Sequence, residues 1–454
     1  MKIFIFLILL SHFTTAAQTD LSKFQQITDS IKYYALTNQH GYHWLKELCE
    51  IGPRPSNSEN YIKALKWAEN KFTSIGVDTF YNQEVIVPNW QRNDIEKAVL
   101  YDSDDIKVAD LTVASLGGSI GAPNGMRGKV LEVQSFEDLQ KKKDEAKGKI
   151  IFFNRPFNQT YDYTFRGYGE AVNQRTLGAI EAAKVGAIGA IIRSVTTKND
   201  DVPHVGVIKY VDTLKQIPSV AISIVGADFL SKSIKENPEY EVEIITNSEI
   251  LPNTKSYNLI AEIKGTEFPN EIILVGGHFD SWDKGHGAHD DGAPTIQTME
   301  VLSIFKELGI KPKRTIRCVL FTAEEIGLFG AIEYARVSEL NNEFHLAAIE
   351  SDRGAFTPRG FYVQTDSISL TKMRTWLPLL KNAGIEWIDF GGTGADISRI
   401  KNVKAGIGYV PDSQRYFDVH HSDNDIFESV NAREMQLGTV AITILTYLLS
   451  ENGL

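Results

Sequence analysis

"EIILVGGHFDSWDKGHGAHDDGAP", residues 271 to 294, runs from a short apolar stretch into a glycine-rich loop carrying His278, Asp280, Asp290 and Asp291. A continuous apolar run of this length, ended by glycines, reads as a strand covered on both faces. Imidazoles and carboxylates crowded at its tip make a poor core, because each needs a partner once it leaves water. The arrangement suits a metal.

The same succession of strand, loop and helix repeats outward from this stretch. "PTIQTMEVLSIFKELG" (294–309) and "FGAIEYARVSEL" (329–340) read as helices set among the apolar runs "RTIRCVLFTAEE" (314–325), "FHLAAIESD" (344–352) and "KAGIGYVP" (404–411). This alternation predicts an α/β fold with a mostly parallel mixed sheet sandwiched by helices. Ligands of open α/β sheets sit beyond the carboxyl ends of the strands, so the polar residues trailing each run should converge.

Those trailing residues are His278, Asp280, Asp290, the pair Glu324-Glu325, Asp352 and, in "YFDVHHSDND", His421. Three or four such groups can fix one zinc, but two His with several carboxylates match two divalent ions about 3.5–4 Å apart sharing a carboxylate. Adjacent side chains at a strand end point apart, so one of Glu324 and Glu325 can ligate while the other moves protons. A water activated by metal needs such a base, which points to amide hydrolysis. Taken singly, "EE" is an ordinary helix start, "DDG" a turn and "HHSD" a surface loop. Their joint placement after successive strands carries the reading. His286, His289 and His420 are expected to be supporting or solvated loop residues.

Elsewhere the texture changes. Residues 20–76 read as helical, with Ile62, Leu65, Trp67, Ala68 and Phe72 near helical spacing and Gly76 as the stop, after the turn-rich "GPRPSNSE" (52–59). Between 95 and 250 come short β-like runs, "GKVLEV", "GKIIFF", "GAIGAIIRS" and "IPSVAISI", with one Ala-rich helix. The expected organisation is a signal peptide over 1–17, the start of the main domain over 18–94, a β-rich insertion over 95–250, and the remainder of the main domain over 251–454.

The opening "MKIFIFLILLSHFTTAAQ" has one Lys, an apolar run and small residues ending at Ala16-Ala17, the layout of a secretory signal cleaved near Ala17. No later apolar run reaches the ~20 residues of a spanning helix. The expected location is therefore secreted or periplasmic, with no membrane span. A net charge of −11 without a dense basic stripe argues against nucleic acid as a partner. Of the two cysteines, Cys318 lies inside "TIRCVLF" and is expected to be a buried, unreactive thiol.

These motifs, with "GAIIRSV" (189–195), "ESDRGAF" (350–356) and "RYFDVHHSDND" (415–425), resemble the co-catalytic dizinc exopeptidase family that includes bacterial leucyl aminopeptidases, glutamate carboxypeptidase and the transferrin receptor. The likeness covers most of the chain and is strongest towards a branch of secreted dipeptidases. It implies that residues 95–250 are a protease-associated-like domain and that two zinc ions bind per chain. Asp290 would bridge, followed by a cis peptide; His278 and Asp352 would complete one ion, Glu325 and His421 the other. Glu324 would be the general base, Asp280 would hold the far nitrogen of His278, and Tyr416 would donate to the oxyanion. Asp396, in "FGGTGAD" (390–396), would line the substrate site. Dipeptides or short peptides would be the substrates, and a homodimer is common in the group. Two other readings share the scaffold: a single-zinc glutaminyl-cyclase-like acyltransferase, and a binding module without catalysis, against which the intact ligand set and Glu324 argue. An aminopeptidase acting on longer peptides also remains open.

Overall fold

The computed structural model describes residues 21–454, so the signal segment expected at 1–17 lies outside the described residues. An eight-stranded mixed sheet forms the centre, in the order Thr79–Gln91, Glu249–Ile263, Arg314–Phe321, Phe268–His278, Phe344–Glu350, Val403–Pro411, Pro358–Gln364, Trp387–Phe390. Phe268–His278 runs parallel to Arg314–Phe321 and to Phe344–Glu350, and Phe344–Glu350 runs parallel to Val403–Pro411. Antiparallel pairs flank this parallel core, so the sheet is mixed as expected.

Alternation explains why "IILV" (272–275) is apolar throughout. Ile273 and Val275 pack on one face with Met299 and Leu445, whereas Ile272 and Leu274 pack on the other with Ala331 and Tyr334. Helices Ala293–Glu307 and Ala432–Asn452 cover the first face, and Phe329–Leu340 lies on the second. Ala432–Asn452 is buried on nearly every side, which requires the apolar circumference of "LGTVAITILTYLL". Glu59–Ile75 starts at Ser58, whose side chain accepts the N–H of Tyr61, and ends at Gly76 in the left-handed conformation. Its inner face uses Tyr61, Ala64 and Leu65, while Ile62 turns to solvent, contrary to the periodicity read from sequence.

The two longest strands, Thr79–Gln91 and Glu249–Ile263, pair antiparallel and carry the chain out to a second eight-stranded sheet drawn from residues 96–246. Their register slips between Val87 and Asn89, where Pro88 cannot donate to the ladder. The second sheet has its own two-sided core: Ile151 and Phe153 face one way, Ile150 and Phe152 the other. Trp282, from the glycine-rich loop of the central sheet, inserts into that second core. It lies so close to Gly117 that a Cβ there would sit 2.0 Å from the indole. Both cysteines are buried and unpaired, and burial pushes the Cys318 thiol up to about 12.

Candidate metal centre

The polar strand ends do converge. His278 ends its strand, Glu324 and Glu325 follow Arg314–Phe321, Asp352 lies two residues past Phe344–Glu350, and His421 follows Val403–Pro411. Ala323, at φ 56°, turns the chain so that the Glu pair leaves the strand end. His421 is likewise held at φ 59°. Such left-handed residues persist only where surrounding contacts fix them.

Asp290 occupies the middle. Its Oδ1 stands 3.2 Å from His278 Nε2 and its Oδ2 3.2 Å from His421 Nε2, so its two oxygens face two different imidazoles. Asp352 Oδ1 is 3.7 Å from His278 Nε2, and Glu325 Oε2 is 3.0 Å from His421 Nε2. With bonds near 2.0–2.2 Å, donors sharing one tetrahedral ion stand roughly 3.3–3.5 Å apart, close to these separations. Asp290 Oδ2 and Glu325 Oε1 are buried without hydrogen-bond partners. Orphaned buried oxygens and an all-nitrogen-and-oxygen donor set fit hard or borderline divalent cations. The Asp290–Asp291 peptide is cis. Asp291 is not turned to the histidines' ring nitrogens; its Oδ2 accepts the backbone N–H of His278 at 3.1 Å and the Thr295 hydroxyl at 3.2 Å.

Electrostatics follow from this crowding. Burial opposes charge on His278 and His421, yet facing carboxylates hold both imidazoles well above their usual range. Burial, with Asp352 and Glu325 nearby, pushes the Glu324 carboxyl well above the ordinary range. Positive charge is what the cluster demands. Glu324 lines the same chamber of about 350 Å3 as the donor residues and forms no ion pair with either His among the described residues.

Several supports refine the sequence expectation. The nearest acceptor for His278 Nδ1 is the backbone carbonyl of Asp280 at 3.0 Å. The Asp280 carboxylate stands 3.7 Å from that nitrogen and accepts the N–H of Glu324 at 3.2 Å, linking the first histidine to the Glu pair. The far nitrogen of His421 faces the Val205 carbonyl at 3.1 Å, and Val205 N–H donates to the His421 carbonyl at 2.9 Å. A segment leading between strands of the second sheet thus orients a candidate ligand. Tyr416 lines the chamber with its ring stacked on Phe165, centroids 5.3 Å apart. Asp396 is fully buried, and both its carboxylate oxygens lack hydrogen-bond partners.

His420, expected as a supporting or solvated residue, is buried against His421 with ring centroids 3.6 Å apart, and its Nε2 lies 3.6 Å from Asp290 Oδ2. Geometry groups Asp290, His420 and His421 on one side and His278, Asp290 and Asp352 on the other. His289 is also buried, stacked on Phe356 at 4.3 Å. Adjacent histidines in a loop give no sign of which turns inward, so sequence could not separate them. Reasoning from sequence also passed over Arg54 and Asp425. Arg54 is fully buried and donates to the carbonyls of Phe279, His286 and Gly287, fixing the loop of the opening stretch. Both lie in quoted motifs, "GPRPSNSE" and "HHSDND", but a residue that serves backbone carries no chemical signature of its own.

An open α/β sheet whose strand ends set one carboxylate between two histidines, with a further carboxylate beside them, is the layout of a metal-dependent hydrolase. The profile of peptidase family M28 matches residues 258–437. Human carboxypeptidase Q is 33% identical over 425 residues, covering 93% of this chain and 88% of that protein. A crystal structure described as a peptidase M28 precursor from Shewanella amazonensis superposes with a TM-score of 0.89 at 31% identity, covering 95% of this chain and 97% of that one. A zinc aminopeptidase from Bacillus subtilis shares the fold, with a TM-score of 0.64 at 20% identity over 91% of this chain and 95% of that one. The chain belongs to peptidase family M28, as a metallo-exopeptidase.

Proposed function

We propose that the protein is an exported dizinc peptidase, secreted or periplasmic, that cleaves dipeptides or short peptides, with residues 95–250 forming a protease-associated-like insertion. The observation that carries this reading is Asp290, whose two oxygens face His278 and His421 respectively. His278, Asp290 and Asp352 would hold one zinc, and Asp290, Glu325 and His421 the other, with His420 close enough to tune the second. Zinc held by these residues would supply Lewis acidity for the scissile carbonyl and for the attacking water near neutral pH.

The chain's own residues divide the remaining work. Glu324 takes the proton of the attacking water at its carboxylate and passes it to the leaving amine, a role needing a carboxyl set in the chamber but outside the ligand set. Asp280 fixes the backbone of Glu324 relative to His278. Tyr416 supplies a hydroxyl to the oxygen that gains charge in the tetrahedral step. Phe165, Tyr168, Tyr416 and Phe417 roof the chamber with aromatic surface, which lowers its dielectric and strengthens each of these interactions.

The test is metal analysis of the mature protein together with hydrolysis of one free dipeptide and its N-acetylated and C-amidated twins. Two zincs per chain and cleavage of the free dipeptide are expected. One zinc per chain with cyclisation of N-terminal glutamine would overturn the reading in favour of the acyltransferase.

A further inference from the structure

Past Phe165 and Asp352 the metal chamber continues into a second cavity of about 410 Å3, bordered by Arg353, Gln364, Thr393 and Ser398. Arg353 immediately follows the candidate ligand Asp352, and its guanidinium is pinned on one side only. Nη2 donates to the carbonyls of Gly392 at 3.2 Å and Thr393 at 2.8 Å. Nη1 is buried with no hydrogen-bond partner, and no carboxylate pairs with Arg353 among the described residues. The rings of Phe165 and Tyr362, with centroids 5.7 and 5.9 Å away, hold the guanidinium in place.

Both terminal nitrogens of Arg175 are occupied where only one of Arg353's is, although Arg175 Nε and Glu350 Oε1 are themselves buried without hydrogen-bond partners. Arg175 also lines the metal chamber, but its Nη1 donates to the Val205 carbonyl at 2.9 Å and its Nη2 to the Tyr168 hydroxyl at 2.7 Å. Glu350 borders the second cavity, yet its carboxylate accepts the N–H of Ile397 at 2.8 Å and packs on Gly394 so tightly that a Cβ there would meet it at 2.0 Å. A planar cation held rigidly, with a donor edge unused and beside the reacting centre, matches a carboxylate. Little side-chain freedom is left to lose on binding.

The geometry points to Arg353 as a specificity-determining residue that binds a carboxylate of the substrate, supplied by the peptide's C-terminus or by an acidic side chain next to the scissile bond. The inference rests on the peptidase reading above and names the substrate class of that site. Because the cavity borders Asp352 itself, the group bound there belongs to a residue flanking the cleaved bond.

The experiment uses the zinc-loaded mature protein, wild type and with Arg353→Gln or Arg353→Lys, on Ala-Ala, Ala-Ala-amide, Glu-Ala-amide and Gln-Ala-amide. Losing a charge-assisted fork should raise KM for the carboxylate-bearing member of the relevant pair by about 10- to 100-fold, leave its neutral twin within about twofold, and be partly restored by lysine. Loss confined to Ala-Ala against its amide assigns the C-terminus, and loss confined to Glu-Ala-amide against Gln-Ala-amide assigns the side chain. Equal loss on every substrate, or no loss on any, would overturn the inference while leaving the peptidase reading intact. Should the wild type cut none of them, calorimetry of acetyl-alanine binding decides separately: weaker binding to Arg353→Gln keeps the carboxylate site and removes the peptidase reading, and equal binding removes both. Zinc content and melting temperature, measured for each variant, show whether the loop at 392–393 has been disturbed. If Arg353→Gln fails to fold, Arg353→Lys alone carries the comparison.

Discussion

Asp425 grips the backbone of Asp290: its Oδ2 accepts the Asp290 N–H at 3.0 Å while its Oδ1 accepts the His289 N–H at 2.7 Å. The bridging candidate is thus placed by a second, fully buried carboxyl that is not itself among the expected ligands. Asp425→Asn keeps one carbonyl oxygen and turns an amide N–H2 towards the other backbone donor. Supports of this kind cost 10- to 100-fold in metal affinity when altered. Competition with a chelator should show a loss of about that size for both ions, with a folded circular-dichroism spectrum retained. Unchanged affinity would show that Arg54 alone suffices to hold the loop.

Glu324 and Asp290 should separate cleanly under mutation. Glu324→Gln removes the proton acceptor without touching a ligand, so turnover should fall by about 10²–10⁴-fold while zinc content stays at the wild-type level. Asp290→Ala removes the oxygens facing both His278 and His421, so both ions should be lost together. Metal analysis beside initial rates distinguishes the two. A Glu324→Gln protein short of zinc would make that residue a ligand.

How much of this could be read from the chain alone follows from which residues advertise themselves. The strand ends did, since His278, Asp290, Glu325, Asp352 and His421 each interrupt or follow an apolar run, and the fold brings them together. The sheet's parallel core was legible for the same reason, because "IILV" must be covered on both faces. Its antiparallel flanks were not, since the long pair Thr79–Gln91 and Glu249–Ile263 is joined across some 160 residues of intervening chain. Side-chain direction was the other blind spot. His420 turns inward beside His421, and Asp280 meets His278 through its carbonyl, and neither fact has a residue-type signature.

Away from the metals, Glu300 predicts a pH dependence of stability. It is buried, its Oε1 accepts the Gly41 N–H at 3.0 Å, and its Oε2 accepts from Gln436 at 3.1 Å and Thr439 at 3.0 Å. Burial pushes its carboxyl up to about 7, above the usual 4.5, so the native state holds this proton more tightly than the unfolded chain. The resulting stabilisation is complete below about pH 4.5 and is lost as pH rises through 7, on the order of 3 kcal/mol in all. Glu300→Gln removes the titration. The variant's stability relative to wild type should therefore rise between pH 5 and 8 in urea unfolding, and a constant difference would show that Glu300 ionises normally.

The last prediction concerns the far side of the sheet, where Arg317 ties neighbouring elements together. Its Nε donates to Glu262 at 2.7 Å, its Nη1 to the Tyr334 hydroxyl and to Glu343, both at 2.8 Å, and its Nη2 to Glu343 at 2.9 Å. Glu262 and Arg317 are both buried, so removing one strands the other in a medium of low dielectric. Arg317→Met should cost about 3 kcal/mol, the low end of what a broken buried pair costs, because Lys264 still pairs with the second oxygen of Glu262. Adding Glu262→Leu removes the stranded charge and should recover part of that loss, although Lys264 then gives up its partner. Denaturant midpoints of the two single variants and the double variant test this, since a double variant no more stable than Arg317→Met would mean that the cost comes from the lost Glu343 pair or from packing around the guanidinium stem and not from the Glu262 carboxylate.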